Sequence, residues 1–129
     1  GHMGISQAAI RYLLTIYELS DDGAAVRSVD ISRRLEVTPA SVVHMLGVLS
    51  AEGLAEKRYY GKVRLTERGI REANRLYTAC ALLKAYFTEY LEVDSETARA
   101  DAVNCLCCLS ERSLAQIEGK VLEERGCTA

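Results

Sequence analysis

The sequence predicts a mainly α protein with one small β-hairpin, and three observations carry that prediction. Apolar residues recur at helical spacing through most of the 129-residue chain, and a single proline, Pro39, interrupts it. One short stretch, Tyr59-Tyr60-Gly61-Lys62-Val63-Arg64-Leu65, places β-formers on both sides of a glycine and reads as a hairpin.

The elements follow in order. Apolar Ile10, Leu13, Leu14, Ile16, Tyr17 and Leu19 define a first helix over 5–19, which Asp21-Asp22-Gly23 ends. Ser28 is the expected N-cap of a short second helix whose apolar face is Val29, Ile31 and Leu35. Thr38 is the expected cap of a third helix. Pro39 takes its first position, where the missing N–H costs nothing, and Gly53 suits the residue just past its end. That helix presents Val42, Val43, Leu46 and Leu49 as its apolar positions. After the hairpin, Thr66-Glu67 restarts a long helix expected to run to about Leu91. Asp94 or Ser95 caps the next, reaching Leu109, and Ser110 caps a last one through Leu114, Ile117 and Val121.

Composition excludes several classes. No run approaches the roughly 20 apolar residues of a membrane span. Gly1-His2-Met3 reads as an expression-tag remnant, and with no signal peptide after it the expected compartment is the cytoplasm. The five cysteines (Cys80, Cys105, Cys107, Cys108 and Cys127) are odd in number and clustered, which fits reduced thiols better than a disulfide framework. Two histidines, one of them in the tag, and no paired carboxylates leave no general acid–base set, so an enzyme is not expected.

The net charge of −2 hides an uneven distribution: residues 1–53 carry −2, residues 54–75 carry +4, and residues 76–129 carry −4. Helix, helix, short turn, helix, hairpin is the winged helix-turn-helix order, and Leu35-Glu36-Val37-Thr38 is a turn of suitable length. The expected domains are a tag remnant at 1–3, a DNA-binding unit at 4–70 and a helical dimerisation and sensor unit at 71–125. In this reading the third helix enters the major groove of double-stranded DNA with Thr38, Pro39, Ala40, Ser41 and His44. Lys57, Arg58, Lys62 and Arg64 of the hairpin lie along phosphates, with Arg27, Arg33 and Arg34 flanking the same surface.

The third helix has no Arg or Lys from Thr38 to Glu52, so the commonest guanine contact is missing from it. Modest base specificity and a steep salt dependence are expected.

Three stretches resemble one family: Tyr12-Leu13-Leu14-Thr15-Ile16-Tyr17-Glu18-Leu19, Asp30-Ile31-Ser32-Arg33-Arg34-Leu35-Glu36-Val37-Thr38-Pro39-Ala40-Ser41-Val42, and Leu65-Thr66-Glu67-Arg68-Gly69. They are similar to the diphtheria-toxin-repressor and manganese-transport-regulator (DtxR/MntR) family, over residues 5–124, and specifically to its short, manganese-type branch. The resemblance implies a homodimer with N-terminal winged helices, a long linking helix and a C-terminal helical pair that dimerises. It also implies repression of transport genes, activated by a transition metal.

At the metal positions the resemblance implies, this chain departs from its relatives. The first-helix positions hold Arg11 and Leu14, the long-helix histidine position holds Cys80, and the following helix offers Val103, Leu106 and Cys107. The carboxylates that Mn²⁺ and Fe²⁺ prefer are absent from these positions, and Arg11 repels a cation. No histidine occurs in residues 54–129. Cys80, Cys107 and the adjacent Cys108 admit three readings: inert core fillers, a redox switch, or a soft-metal site for Zn²⁺ or Cu⁺. The expectation is therefore a homodimeric DNA-binding regulator with possible cysteine-based sensing. The alternatives are a winged helix that binds protein, and a constitutive regulator that senses no metal.

Overall fold

Helix α1 (Gln7–Leu19) opens the computed structural model, which describes residues 6–21 and 23–124. The tag residues 1–3, Ile5 at the expected start of α1, Asp22 and Cys127 lie outside the described residues. Between Ala9 and Ile16 every α1 residue except Arg11 is buried, as a helix that is apolar on most sides requires.

Strand β1 (Val26–Arg27) leads without a break into α2 (Ser28–Leu35). Ser28 is thus the first helical residue and not the N-cap; Arg27 occupies the cap position, with no side-chain cap bond. The strand pairing holds Arg27 extended, so the helix cannot begin one residue earlier. On α2 only Ile31 is fully buried, while Val29 faces outward. A left-handed Glu36 (φ 56°, ψ 48°) ends the helix, and its N–H bonds back to the Ser32 carbonyl. The Ser32 hydroxyl donates to Val37 O at 2.7 Å, which locks the turn into α3 (Pro39–Ala51).

Helix α3 starts as its sequence dictates. Thr38 is extended, its Oγ1 accepts from Ser41 N–H at 3.1 Å, and Pro39 follows in the first turn. Of the four apolar positions Val42, Leu46 and Leu49 are buried, whereas Val43 is 61% exposed. Gly53, with φ 76°, turns the chain out of the helix.

The hairpin is longer than its β-formers indicate and belongs to a three-stranded sheet. Strand β2 is Ala55–Arg58 and β3 is Lys62–Leu65, so Tyr59 and Tyr60 sit in the turn and not in a strand. Both neighbours pair antiparallel with β3, giving the order β1-β3-β2. Strand β1 is only two residues long and so carries no periodicity that would mark it in the sequence.

Helix α4 (Glu67–Ala85) passes into a π-helical turn over Tyr86–Tyr90, which ends at Leu91 as the apolar pattern indicates. Helix α5 (Ser95–Cys108) is capped by Asp94, whose carboxylate accepts from Thr97 N–H at 2.9 Å. That backbone hydrogen bond holds the Asp94 carboxyl below its ordinary pKa. Helix α6 (Glu111–Glu124) begins at Ser110, whose hydroxyl accepts from Ser113 N–H.

The chain divides into two compact units, Ala8–Asn74 and the remainder. In the first, Ile10, Leu13, Ile16, Ile31, Leu49, Leu54 and Val63 are wholly or almost wholly buried. In the second the same holds for Leu76, Ala79, Ala98, Ala102, Leu106 and Leu114, and Arg75 forms a 2.9 Å ion pair with Glu118. No described helix is long and apolar enough to cross a membrane.

Candidate nucleic-acid interface

The base of the wing explains the Leu65-Thr66-Glu67-Arg68-Gly69 stretch residue by residue. Leu65 is buried. Thr66 donates from its hydroxyl to Gly53 O at 2.7 Å and accepts from Gly69 N–H at 3.0 Å, so one side chain caps α4 and ties it to the end of α3. Arg68 donates to Glu52 O at 2.6 Å, on the same turn. A Cβ on Gly69 would collide with the Leu54 carbonyl, so only glycine allows α4 to approach this closely. Part of the basic island is therefore structural: Arg68 anchors α3 to α4, and Arg75 pairs with Glu118.

The register of the sheet sorts the other cations. Arg27 of β1, Lys62 of β3 and Arg58 of β2 are directly opposed across three strands and so project from one face. Arg64, two residues from Lys62, shares that face and pairs with Glu56 at 3.6 Å. The next row, Val26, Val63 and Lys57, belongs to the opposite face. Its two valines are buried, and Lys57 is exposed at the sheet edge. Lys57 therefore does not line up with Arg58, Lys62 and Arg64 as one strip.

Asp30 of α2 moderates the edge of this patch. It pairs with Arg27 at 3.2 Å and approaches Arg33 at 3.9 Å. Among the described residues, Arg34, Lys57, Arg58 and Lys62 form no ion pair. Like charges directly opposed in a sheet repel, and since Asp30 partners only Arg27, Lys62 and Arg58 are the members of the row that an outside anion would relieve.

On α3 the exposed residues are Pro39, Ala40, Ser41, Val43 and His44 in its first half and Ser50 and Ala51 at its end. Thr38 is exposed as well, but its hydroxyl is engaged with both the Ser41 backbone and the Ser41 hydroxyl, the latter at 2.9 Å. Ala40, Val43, His44 and Gly47 stand at positions i, i+3, i+4 and i+7, so they share one face. A Cβ on Gly47 would meet nothing within 4 Å, so that face is open. Val43 is the member that the sequence reading named only as an apolar position of the helix. Val42 and Val43 are adjacent and equally apolar, and the pattern alone does not say which of them faces solvent.

This sheet and these helices match known proteins. The model of the iron dependent repressor, N-terminal DNA binding domain, matches residues 5–63. Over those residues the chain is similar to the DNA-binding domain of iron-dependent repressors, in line with its resemblance to the DtxR/MntR family. An HTH-type transcriptional regulator of Methanocaldococcus jannaschii is 26% identical over 115 residues, which cover 88% of this chain and 92% of that protein. The crystal structure of IdeR from T. acidophilum superposes with a TM-score of 0.73 at 29% identity, over 91% of this chain and 53% of that one. The manganese regulator SloR has the same fold, with a TM-score of 0.73 at 22% identity over 88% of this chain and 53% of that one. The chain thus spans about half the length of IdeR and SloR. The DtxR/MntR family is one of transcriptional regulators and is non-enzymatic.

Where the resemblance implies DtxR/MntR metal ligands, this chain places other chemistry. Leu14, Val103 and Leu106 are buried hydrocarbon. Cys80 and Cys107 are buried thiols, Cys105 is half-buried and Cys108 is exposed. The Cys107 thiol points to Gln7 O at 3.8 Å, and Gln7 Nε2 lies 3.8 Å from the Cys108 sulfur. Among the described residues no three His, Cys, Asp or Glu side chains come together in a way that would hold a metal ion.

Proposed function

We propose that this protein is a homodimeric, DNA-binding transcriptional regulator of the DtxR/MntR type that acts as a repressor. Helix α3 lies in the major groove and the wing lies on phosphates. The observation that carries this reading is the row Arg27–Lys62–Arg58, three cations opposed across three strands in the same unit as an exposed, uncharged α3 face. A row of like charges is unfavourable in the free protein and favourable beside a polyanion. Small groups on α3, the Ser41 hydroxyl, the His44 ring and the Ala40 and Val43 methyls, suit close approach to base edges and thymine methyls.

The residues at the inherited metal positions do not fit a Mn²⁺ or Fe²⁺ centre: they offer hydrocarbon and sulfur where hard oxygen ligands are needed. Activation by those ions through the family's positions is therefore not part of this reading. The burial of Cys80 and Cys107 favours thiols that fill the core, and the exposed Cys108 is the sulfur open to oxidants or soft metals.

The test is binding of double-stranded DNA across a salt series by the wild type and by Lys62→Glu. Wild-type affinity should fall steeply with salt, and Lys62→Glu should bind at least tenfold more weakly, with a slope shallower by about one to two units. Equal, salt-insensitive behaviour of the two proteins would instead favour a winged helix that docks on protein.

A further inference from the structure

The tip of the wing has a feature that the fold does not use. Tyr59 is 87% and Tyr60 96% exposed, with ring centroids 6.5 Å apart. Tyr60 has φ 60° and ψ 39°, Gly61 has φ 70°, and Lys62 N–H bonds to Tyr59 O. Consecutive positive φ angles are those of a tight hairpin turn in which asparagine or glycine is the low-strain choice at the first position. A tyrosine there is strained, and its ring lies almost wholly in solvent. Packing within the chain therefore gives no reason for it.

The charges around the tip supply one. Arg58 and Lys62 bracket the two rings, and Arg27 extends their row across the sheet. Cations at the base of an uncharged, projecting aromatic tip match a groove whose phosphate rim holds the cations while the tip reaches inside. We infer that Tyr59 and Tyr60 enter the DNA minor groove beside the major groove occupied by α3, where they make the apolar contacts that discriminate A·T from G·C steps. This rests on the DNA-binding reading above. It supplies sequence preference from the wing, whereas α3 carries no Arg or Lys over residues 38–52. The minor groove is narrow and deep at A·T steps, and unstacking by an inserted apolar side chain is easiest at flexible TA steps.

The experiment compares the wild type, the double variant Tyr59→Ser/Tyr60→Gly, and Lys62→Glu on alternating A·T and alternating G·C duplexes, each across a salt series. Glycine suits the backbone at residue 60, so the double variant should melt no lower than the wild type. It should lose roughly tenfold in affinity for the A·T duplex and little for the G·C duplex. Because the rings are uncharged, its salt slope should match the wild type, unlike that of Lys62→Glu. Netropsin, a minor-groove ligand, should weaken the wild type on the A·T duplex and leave the double variant's affinity nearly unchanged. Wild-type A·T affinity and selectivity in the double variant would overturn the inference while leaving the DNA-binding reading intact, provided Lys62→Glu still weakens binding. Absence of binding by the wild type to either duplex would overturn both.

Discussion

Helix α3 and the wing lie next to each other in one unit and divide their chemistry sharply. The α3 surface is uncharged and built of small groups, with Ala40, Ser41, Val43 and His44 exposed. The wing concentrates charge, with Arg58, Lys62 and Arg64 on one face, and joins Arg27 to them through a two-residue strand. Charge acts at long range and carries no sequence information, whereas small groups act only in contact. In the proposed DNA-binding reading, attraction and base contact therefore fall to different elements. Two glycines show the same contrast: Gly69 at the wing's base admits no side chain, and Gly47 on α3 admits one freely.

The largest expected effect breaks the wing's attachment. Gly69→Val drives a branched side chain into the Leu54 carbonyl and should cost roughly 3 kcal/mol or more, read as a lower urea midpoint. Next comes the division of labour itself. Arg58→Ala should reduce the salt slope of DNA binding by about 0.9 and weaken all duplexes alike. His44→Ala should leave the slope unchanged and alter discrimination between sequences by about 1–3 kcal/mol. If both variants changed slope and preference together, the two elements would not be separable.

Smaller effects sharpen the picture. Thr38→Ala removes the α3 cap and should cost about 1 kcal/mol of stability. Gly47→Ala should stabilise α3 by roughly 0.5–1 kcal/mol, measured by thermal melting, and by adding a methyl to the open face should perturb DNA binding more than folding. The smallest effect contrasts a neutral cap with a charged one. Asp94 has a folded pKa below its unfolded value, so its contribution to stability is present above the unfolded pKa and is lost as pH falls through the lowered one. Asp94→Asn should flatten that part of the acid limb of a stability–pH curve, while Thr38→Ala should leave its shape unchanged.

Much of this was legible before the structure. Thr38-Pro39 marked the start of α3, Gly53 its end, and Asp94 and Ser110 the starts of α5 and α6, because caps act locally through a few backbone N–H groups. The apolar pattern carried the long helix to Leu91, although not the π-helical turn at Tyr86–Tyr90 within it. Ser28 misled: a good capping residue lies at the start of α2, but the strand before it shifts the helix boundary to Arg27.

What the sequence by itself determined is the order of the elements, the +4 island and the neutrality of α3, since these depend on neighbours along the chain. Three things were decided only by the tertiary structure. Pairing of β1 with β3 brings Arg27 into line with Lys62 and Arg58 from more than 30 residues away. Packing of Val42 turns Val43 outward onto the exposed, uncharged face of α3. Contact with Glu52 takes Arg68 out of the pool of available cations. In each case the deciding partner is distant in sequence or on another element, and no periodicity along the chain encodes such a partner.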